Sequence, residues 1–414
     1  MPKEKENLKL IFYIGTHRLS GILADTLSPE RGILRFAEID HPEGFQRGEV
    51  AQLERALVSV GELIKKLELG DDALEIPAYV LVSNPHLKMT RFSSSIHYAS
   101  YPRVITSREV QQVIAQTRNV APLPLEEWIL QVIPESFWVN DLTGVQDPIG
   151  LEAQRLAVSL QIFSMKYASF RNLSKVFETL EFNVKGYFPK SLVLAEGVLH
   201  SGEKEGEVLV IDFSDAATHL VLTREGKLAG TRSLDLGSQF FTTRISEKWQ
   251  IGARDAERLK EQFGSLEENL KFGGELIPLA ERNGHAHHQI KKAEFHETFF
   301  KLGEELLSRL EKEVRSFLEE ARTAHPTLIL TGGGIRLEGF LEFLSRRLSF
   351  PVRVGTPRHL EGGGPLLMNP AWTGPLGLVR WLSNTSLIQN RFSAKETIPE
   401  RLLLQFKEWL VAYF

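Results

Sequence analysis

The chain has 414 residues, 42% hydrophobic and 25% charged, with 32 Gly and 19 Pro, the make-up of a folded globular protein with room for two or three domains. Fifty-three acids against 49 bases leave a formal charge of -4, without the basic excess of a nucleic-acid binder, so no nucleic acid is expected as a partner. Zero Cys excludes disulfides, thiolate metal sites and a thiol nucleophile, and fits a reducing, cytosolic setting.

The opening MPKEKENLKLIFYIG lacks the sustained apolar core and cleavage site of a signal peptide, and no stretch approaches the ~18 apolar residues that span a bilayer. Residues 8 to 25 read as two apolar strands joined by a Gly15-Thr16 turn, and a second strand-turn-strand follows at 208 to 230, which suggests a duplicated α/β fold. Between them, Val50, Leu53, Leu57, Val60, Ile64 and Leu67 form the stripe of a helix packed on a sheet.

A strand is expected at 78 to 83. A polar stretch then runs to Thr106, where Thr-Ser-Arg-Glu109 has capping-box spacing before Val110, Val113 and Ile114. Short strands are expected at 128 to 140 and 155 to 163, and helices at 168 to 182, 253 to 263 and 295 to 321. Residues 328 to 331 read as a strand, then Gly332-Gly333-Gly334 and a helix to about Leu348; 383 to 397 is polar and linker-like.

A Gly-rich turn between strand and helix can hold phosphate because backbone N–H groups converge where no Cβ blocks approach. Thr331-Gly332-Gly333-Gly334 fits that description, although a plain tight turn explains it as well. At the far end, IPERLLLQFKEWLVAYF drawn at ~100° per residue puts Leu402, Leu403, Phe406, Trp409, Leu410, Tyr413 and Phe414 on one face, with Arg401, Gln405 and Glu408 opposite. That pattern suits a helix lying in a bilayer interface, aromatic rings at the headgroup boundary. The alternative is a terminal helix docked on its own domain; the polar stretch before it favours membrane. His285, His287, His288 and His296 invite a metal reading, but a solvated loop tip accounts for them.

Taken together, the Gly15-Thr16 turn, an inserted subdomain, the Asp212 turn, Glu257-Arg258-Leu259-Lys260 and Thr-Gly-Gly-Gly resemble, in that order, the actin-like ATPase superfamily. Within it the chain is similar to the bacterial FtsA family, through GFQRGEVAQLERALVSV, ITSREVQQVIAQTRNVAPLP, DPIGLEAQRL, LILTGGGIRLEGF and NPAWTGPLGL. The resemblance implies a duplicated actin-like α/β fold: 1–83 with 164–204 as the first subdomain, 84–163 as an inserted α+β subdomain, 205–245 with 325–382 as the second, 246–324 as a second insertion, 383–397 as linker and 398–414 as a C-terminal amphipathic helix.

The family implies ATP between the halves, self-association into filaments, and tethering of FtsZ polymers, through the FtsZ C-terminal tail, to the cytoplasmic side of the inner membrane as a peripheral protein among other divisome partners. By the same resemblance Gly15 and Thr16 lie in the first phosphate turn, Asp212 in the second, Glu257 and Lys260 near the adenosine, Gly332, Gly333 and Gly334 under the nucleotide, and Lys291 and Lys292 where the family contacts FtsZ. An exposed helical charge pair is the alternative for Glu257 and Lys260.

Three departures weigh against hydrolysis by the family's route. Tyr13 stands where the family has an acid. The second turn reads Asp212-Phe-Ser214-Asp215-Ala216-Ala217-Thr218-His219 instead of Asp-x-Gly-Gly-Gly-Thr-x-Asp, which crowds the phosphate path and adds a negative charge. Lys190 replaces the family's Gln or Glu and cannot act as a carboxylate base. No catalytic residue is assigned, ATP binding stays open, and Mg²⁺ is in doubt. Alternative readings are a working actin-like ATPase and a PilM-type pilus-assembly adaptor.

Overall fold

The computed structural model describes residues 7–15, 17–27, 32–98, 101–268, 270–279, 289–348 and 350–392. The chain divides into two units, residues 1–193 with 360–363 and 378–414, and residues 194–359 with 364–377.

The first unit opens with β1 (Leu8–Ile14), β2 (Arg18–Asp25) and β3 (Ile33–Asp40), an antiparallel meander. Helix α1 (Leu53–Lys66) follows and lays Ala56, Val60 and Leu63 on the sheet, and β4 (Ala78–Val82) returns parallel to β1. The inserted portion holds β5 (Lys88–His97), α2 (Ser107–Val120), β6 (Glu127–Val139), β7 (Leu142–Val145) and β8 (Arg155–Lys166), which form a four-stranded sheet in the order β7-β6-β8-β5. Val110 and Val113 of α2 pack with Ile96, Phe137, Leu156, Val158 and Leu160 on one face of that sheet. The unit closes with α3 (Tyr167–Thr179), β9 (Val184–Pro189) and α4 (Lys190–Val198), giving a five-stranded sheet β9-β4-β1-β2-β3.

The second unit repeats the plan. Strands β10 (Glu207–Phe213), β11 (Thr218–Arg224) and β12 (Lys227–Leu234) form the meander, followed by α5 (Gln239–Trp249), α6 (Ala253–Phe263) and α7 (Lys292–Glu320). A short hairpin, Leu276–Pro278 with Gln289–Lys291, precedes α7. Then come β13 (Thr327–Thr331), α8 (Phe340–Leu348) and β14 (Val352–Val354); α9 (Thr373–Phe392) begins among the second unit's residues and from 378 on belongs to the first. The sheet order β12-β11-β10-β13-β14 is that of the first unit: three antiparallel strands, then two parallel ones. This is the duplicated α/β architecture expected from the two strand-turn-strand stretches.

Several elements differ from expectation. The region read as polar before Thr106 contains β5, whose KMTRFSSSIH is half serine and charge yet pairs along its length with the apolar β8; a partner strand supplies the order that its own residues do not advertise. The glycine run is followed by a short 3₁₀ turn, Gly333–Arg336, and α8 starts only at Phe340. Helix α9 runs to Phe392, ten residues into the stretch expected to be linker, 383–397. The capping box forms as expected: Thr106 N–H bonds Glu109 Oε2 at 3.0 Å and Arg108 N–H bonds Thr106 Oγ1 at 3.3 Å. The amphipathic segment 398–414, including Leu402, Leu403, Phe406, Trp409, Leu410, Tyr413 and Phe414, lies outside the described residues, as do Thr16, His285, His287 and His288.

Candidate nucleotide site

In the second unit the turn after β10 is a tight one, Ser214 N–H donating to Ala217 O at 3.1 Å. Asp212 is fully buried and accepts the Ser214 hydroxyl at 3.2 Å. The turn is stitched to the start of α5: Ser238 N–H donates to Ser214 O at 3.0 Å and Gln239 N–H to Asp215 O at 2.9 Å. Gly237 permits this, since a Cβ there would lie 2.1 Å from Asp215 O.

Asp215 is not left as a bare charge. Its Oδ1 takes the Ser238 hydroxyl at 3.0 Å and stands 3.8 Å from the Lys260 ammonium. Lys260 also pairs with Glu257 at 2.6 Å and donates to Ser238 Oγ at 3.4 Å, while Thr242 donates to Glu257 Oε2. The Glu257–Lys260 pair has helical i, i+3 spacing, but it is buried, with the two side chains 9% and 4% exposed, so the exposed-charge-pair alternative does not hold. Sequence reasoning missed Ser238 and Thr242. Their signal was the small Gly237-Ser238 step opening α5 and a hydroxyl one helical turn further on, facing α6.

The glycine run packs against the same turn. Gly332 has φ +96°, and a Cβ on it would come within 2.6 Å of Asp212 Oδ1 and 2.5 Å of Phe213 O. A Cβ on Gly334 would enter the Phe213 ring at 2.5 Å, whereas one on Gly333 would meet only Ala371 Cβ at 3.7 Å. Packing therefore explains the outer glycines. The middle one leaves backbone that a ligand can approach. Thr331, fully buried, anchors the strand end through Pro370 O at 3.1 Å and Thr373 Oγ1 at 2.7 Å.

In the first unit, Gly15 N–H donates to Arg18 O at 2.9 Å, closing the β1–β2 turn. Tyr13 is 7% exposed and Lys190 1%. The Lys190 ammonium lies 5.4 Å from the centroid of the Tyr13 ring, a cation–π contact. Two departures read separately from the sequence thus share one place.

Mg²⁺ favours carboxylate and water oxygens. Here one turn offers a phenol beside an ammonium. In the other, Asp212 is engaged by Ser214, Asp215 by Ser238 and Lys260, and Glu257 by Lys260 and Thr242. Each of these carboxylates thus already has a partner within the protein.

The remaining candidates stand apart from these turns. Lys292 pairs with Glu275 at 2.7 Å and lies 5.5 Å from the Phe272 ring, and Lys291 ends the short strand Gln289–Lys291. His296 shares a hydrogen bond with Glu267 O at 3.0 Å and a ring contact with Phe272, which accounts for it without a metal.

Comparison with known proteins adds identity to this geometry. Residues 85–164 match the family described as the SHS2 domain inserted in FTSA, and residues 209–376 match the family of cell division protein FtsA. The chain belongs to the FtsA family. Curated FtsA proteins align end to end with it at low identity: that of Borreliella burgdorferi is 23% identical over 97% of this chain and 99% of its own length. That of Pseudomonas aeruginosa is 22% identical over 89% and 87%.

Among solved structures, a PilM-PilN type IV pilus biogenesis complex superposes with TM-score 0.63 at 18% identity, covering 91% of this chain and 98% of that one. MreB 5 of Spiroplasma citri bound to AMPPNP gives TM-score 0.54 at 11% identity, covering 94% and 99%. At such identities these two likenesses establish the actin-like fold alone. This FtsA-family chain is thus an actin-like protein of the cell-division class carrying the family's inserted domain. Among the described residues, no helix is long and apolar enough to cross a membrane.

Proposed function

We propose that the chain is a cell-division adaptor that tethers FtsZ polymers to the cytoplasmic face of the inner membrane and self-associates into actin-like filaments. The observation that carries this reading is the match, in chain order, to the inserted SHS2 domain and then to FtsA. Residues 398–414 supply the lipid anchor in this reading, supported by the single apolar, aromatic-rich face of Leu402, Leu403, Phe406, Trp409, Leu410, Tyr413 and Phe414. Their neighbours Arg401 and Lys407 are offset by Glu400 and Glu408, so apolar insertion multiplied by filament avidity provides the attachment. The hairpin and helix start around Lys291 and Lys292 receive the FtsZ tail, and 383–397 connects body to anchor.

Nucleotide enters the proposal as a ligand and not as a substrate. Gly15, Thr16, Asp212, Glu257, Lys260 and Gly332 to Gly334 form the site, and the actin-like MreB 5, solved with AMPPNP, supports a nucleotide of that class. Tyr13 and Lys190 stand where the family has an acid and a Gln or Glu, and neither can take over their part in hydrolysis.

Liposome co-sedimentation of the full chain against one ending at 397 tests the anchor; equal pelleting of both would refute it. A pull-down with an FtsZ-tail peptide beside a pilus-protein peptide tests the partner. Phosphate release from ATP that disappears in Asp212→Ala would replace the adaptor reading with that of a working ATPase.

A further inference from the structure

Strands β2 and β3 pair antiparallel, with Arg18 opposite Asp40 at the rim of the first unit's sheet. His17 comes just before β2 and His41 just after β3, so the two face each other across the next step of the ladder, and a bond from His41 N–H to His17 O at 2.8 Å fixes their backbones there. Their rings meet. The two Nδ1 atoms share a hydrogen bond at 3.2 Å, with the ring centroids 5.1 Å apart and the planes at 68°. The carboxylates of this edge, Glu38 and Asp40, stand 3.4 and 3.6 Å from Arg18 Nε, which leaves imidazole nitrogens as the donors that converge at the end of the ladder.

We propose that His17 and His41 form a two-nitrogen site for a divalent transition-metal ion of the zinc and copper class, with water completing the coordination, and that the ion pins the start of β2 to the end of β3. The spacing is the ground. With metal–nitrogen bonds of about 2.0–2.1 Å, tetrahedral coordination sets neighbouring nitrogens about 3.3 Å apart, and the two Nδ1 atoms already stand at 3.2 Å. Imidazole suits zinc, copper and nickel, whereas magnesium and calcium take oxygen. An ion that takes both Nδ1 lone pairs sends the proton between them to the Nε2 of its own ring, so each imidazole stays neutral. Both ligands belong to the first unit, and the inference stands apart from the nucleotide and membrane readings.

The test is calorimetric titration of the full chain with ZnSO₄ and with CuSO₄, joined by electron paramagnetic resonance of the protein loaded with one equivalent of copper. The expected result is binding of both ions, with hyperfine coupling from two imidazole nitrogens. His17→Ala and His41→Asn are each expected to weaken binding about tenfold or more and to leave at most one coupled nitrogen. Asn is chosen because His41 has φ +51°, a left-handed backbone that Asn adopts readily. His285, His287 and His288 are a competing source of imidazole, so their triple alanine variant is titrated beside the parent and is expected to keep the site. No binding of zinc or copper by the parent, binding unchanged in His41→Asn, or binding lost only with the three loop histidines overturns the inference. Should His17→Ala fail to fold, the exposed His41 decides alone.

Discussion

The β1–β2 turn of the first unit and the β10–β11 turn of the second occupy the same place in the same sheet topology, yet they handle charge differently. The first sets one cation over an aromatic ring. The second closes a buried circuit in which Lys260 serves Asp215 and Glu257 and two hydroxyls complete the carboxylates. A duplicated scaffold therefore fixes where a turn lies while leaving its electrostatics free to diverge, since the sheet is held by backbone pairing and apolar burial and not by the groups at its rim.

Breaking the circuit gives the largest effect. Lys260→Met leaves the buried Glu257 and the part-buried Asp215 without their cation and is expected to lower stability by about 3–5 kcal/mol in urea titration. Adding Asp215→Ala to it recovers part of that loss, and a loss that stays the same would mean that Asp215 is not balanced by Lys260. Next is Gly332→Ala, about 1–3 kcal/mol, because both the +96° φ and the approach to Phe213 resist a side chain. Gly333→Ala, one residue on, is expected within about 0.5 kcal/mol.

Tyr13→Leu, which removes the ring beneath Lys190, is expected to cost about 1–2 kcal/mol by the same titration, less than the loss of Lys260 because a ring contact and not an ion pair is lost. The smallest effect is pH-dependent. Burial alone would raise the Glu203 carboxyl, but hydrogen bonds from Arg353 and the His200 N–H overcome it and hold it below the ordinary value. Its contribution, about 1 kcal/mol, is full above the ordinary carboxylate range and is lost as pH falls through the depressed value. Glu203→Gln should flatten that part of the acid-unfolding curve.

Much of this architecture is written in local pattern. The 253–263 helix is bounded as its periodicity predicts, and Thr106 with Glu109 announces α2. Strand β5 is not legible, because its order comes from β8. At the site, the substitutions Tyr13, Asp215 and Lys190 stand out against the family pattern. Their pairings do not, since whether Lys260 or another cation meets Asp215 depends on how α6 packs beside the turn, and no spacing in the chain encodes that.

The Phe213 ring lies flat on Phe340, centroids 4.6 Å apart, with Gly334 pressed against it. The loop after β10 and the first turn of α8 are thereby one mechanical piece. A guest that shifts that loop must drag the helix along or break the stack. Such a joint would act as a lever, carrying news of an arrival at the loop to the outer surface of α8 without any further relay.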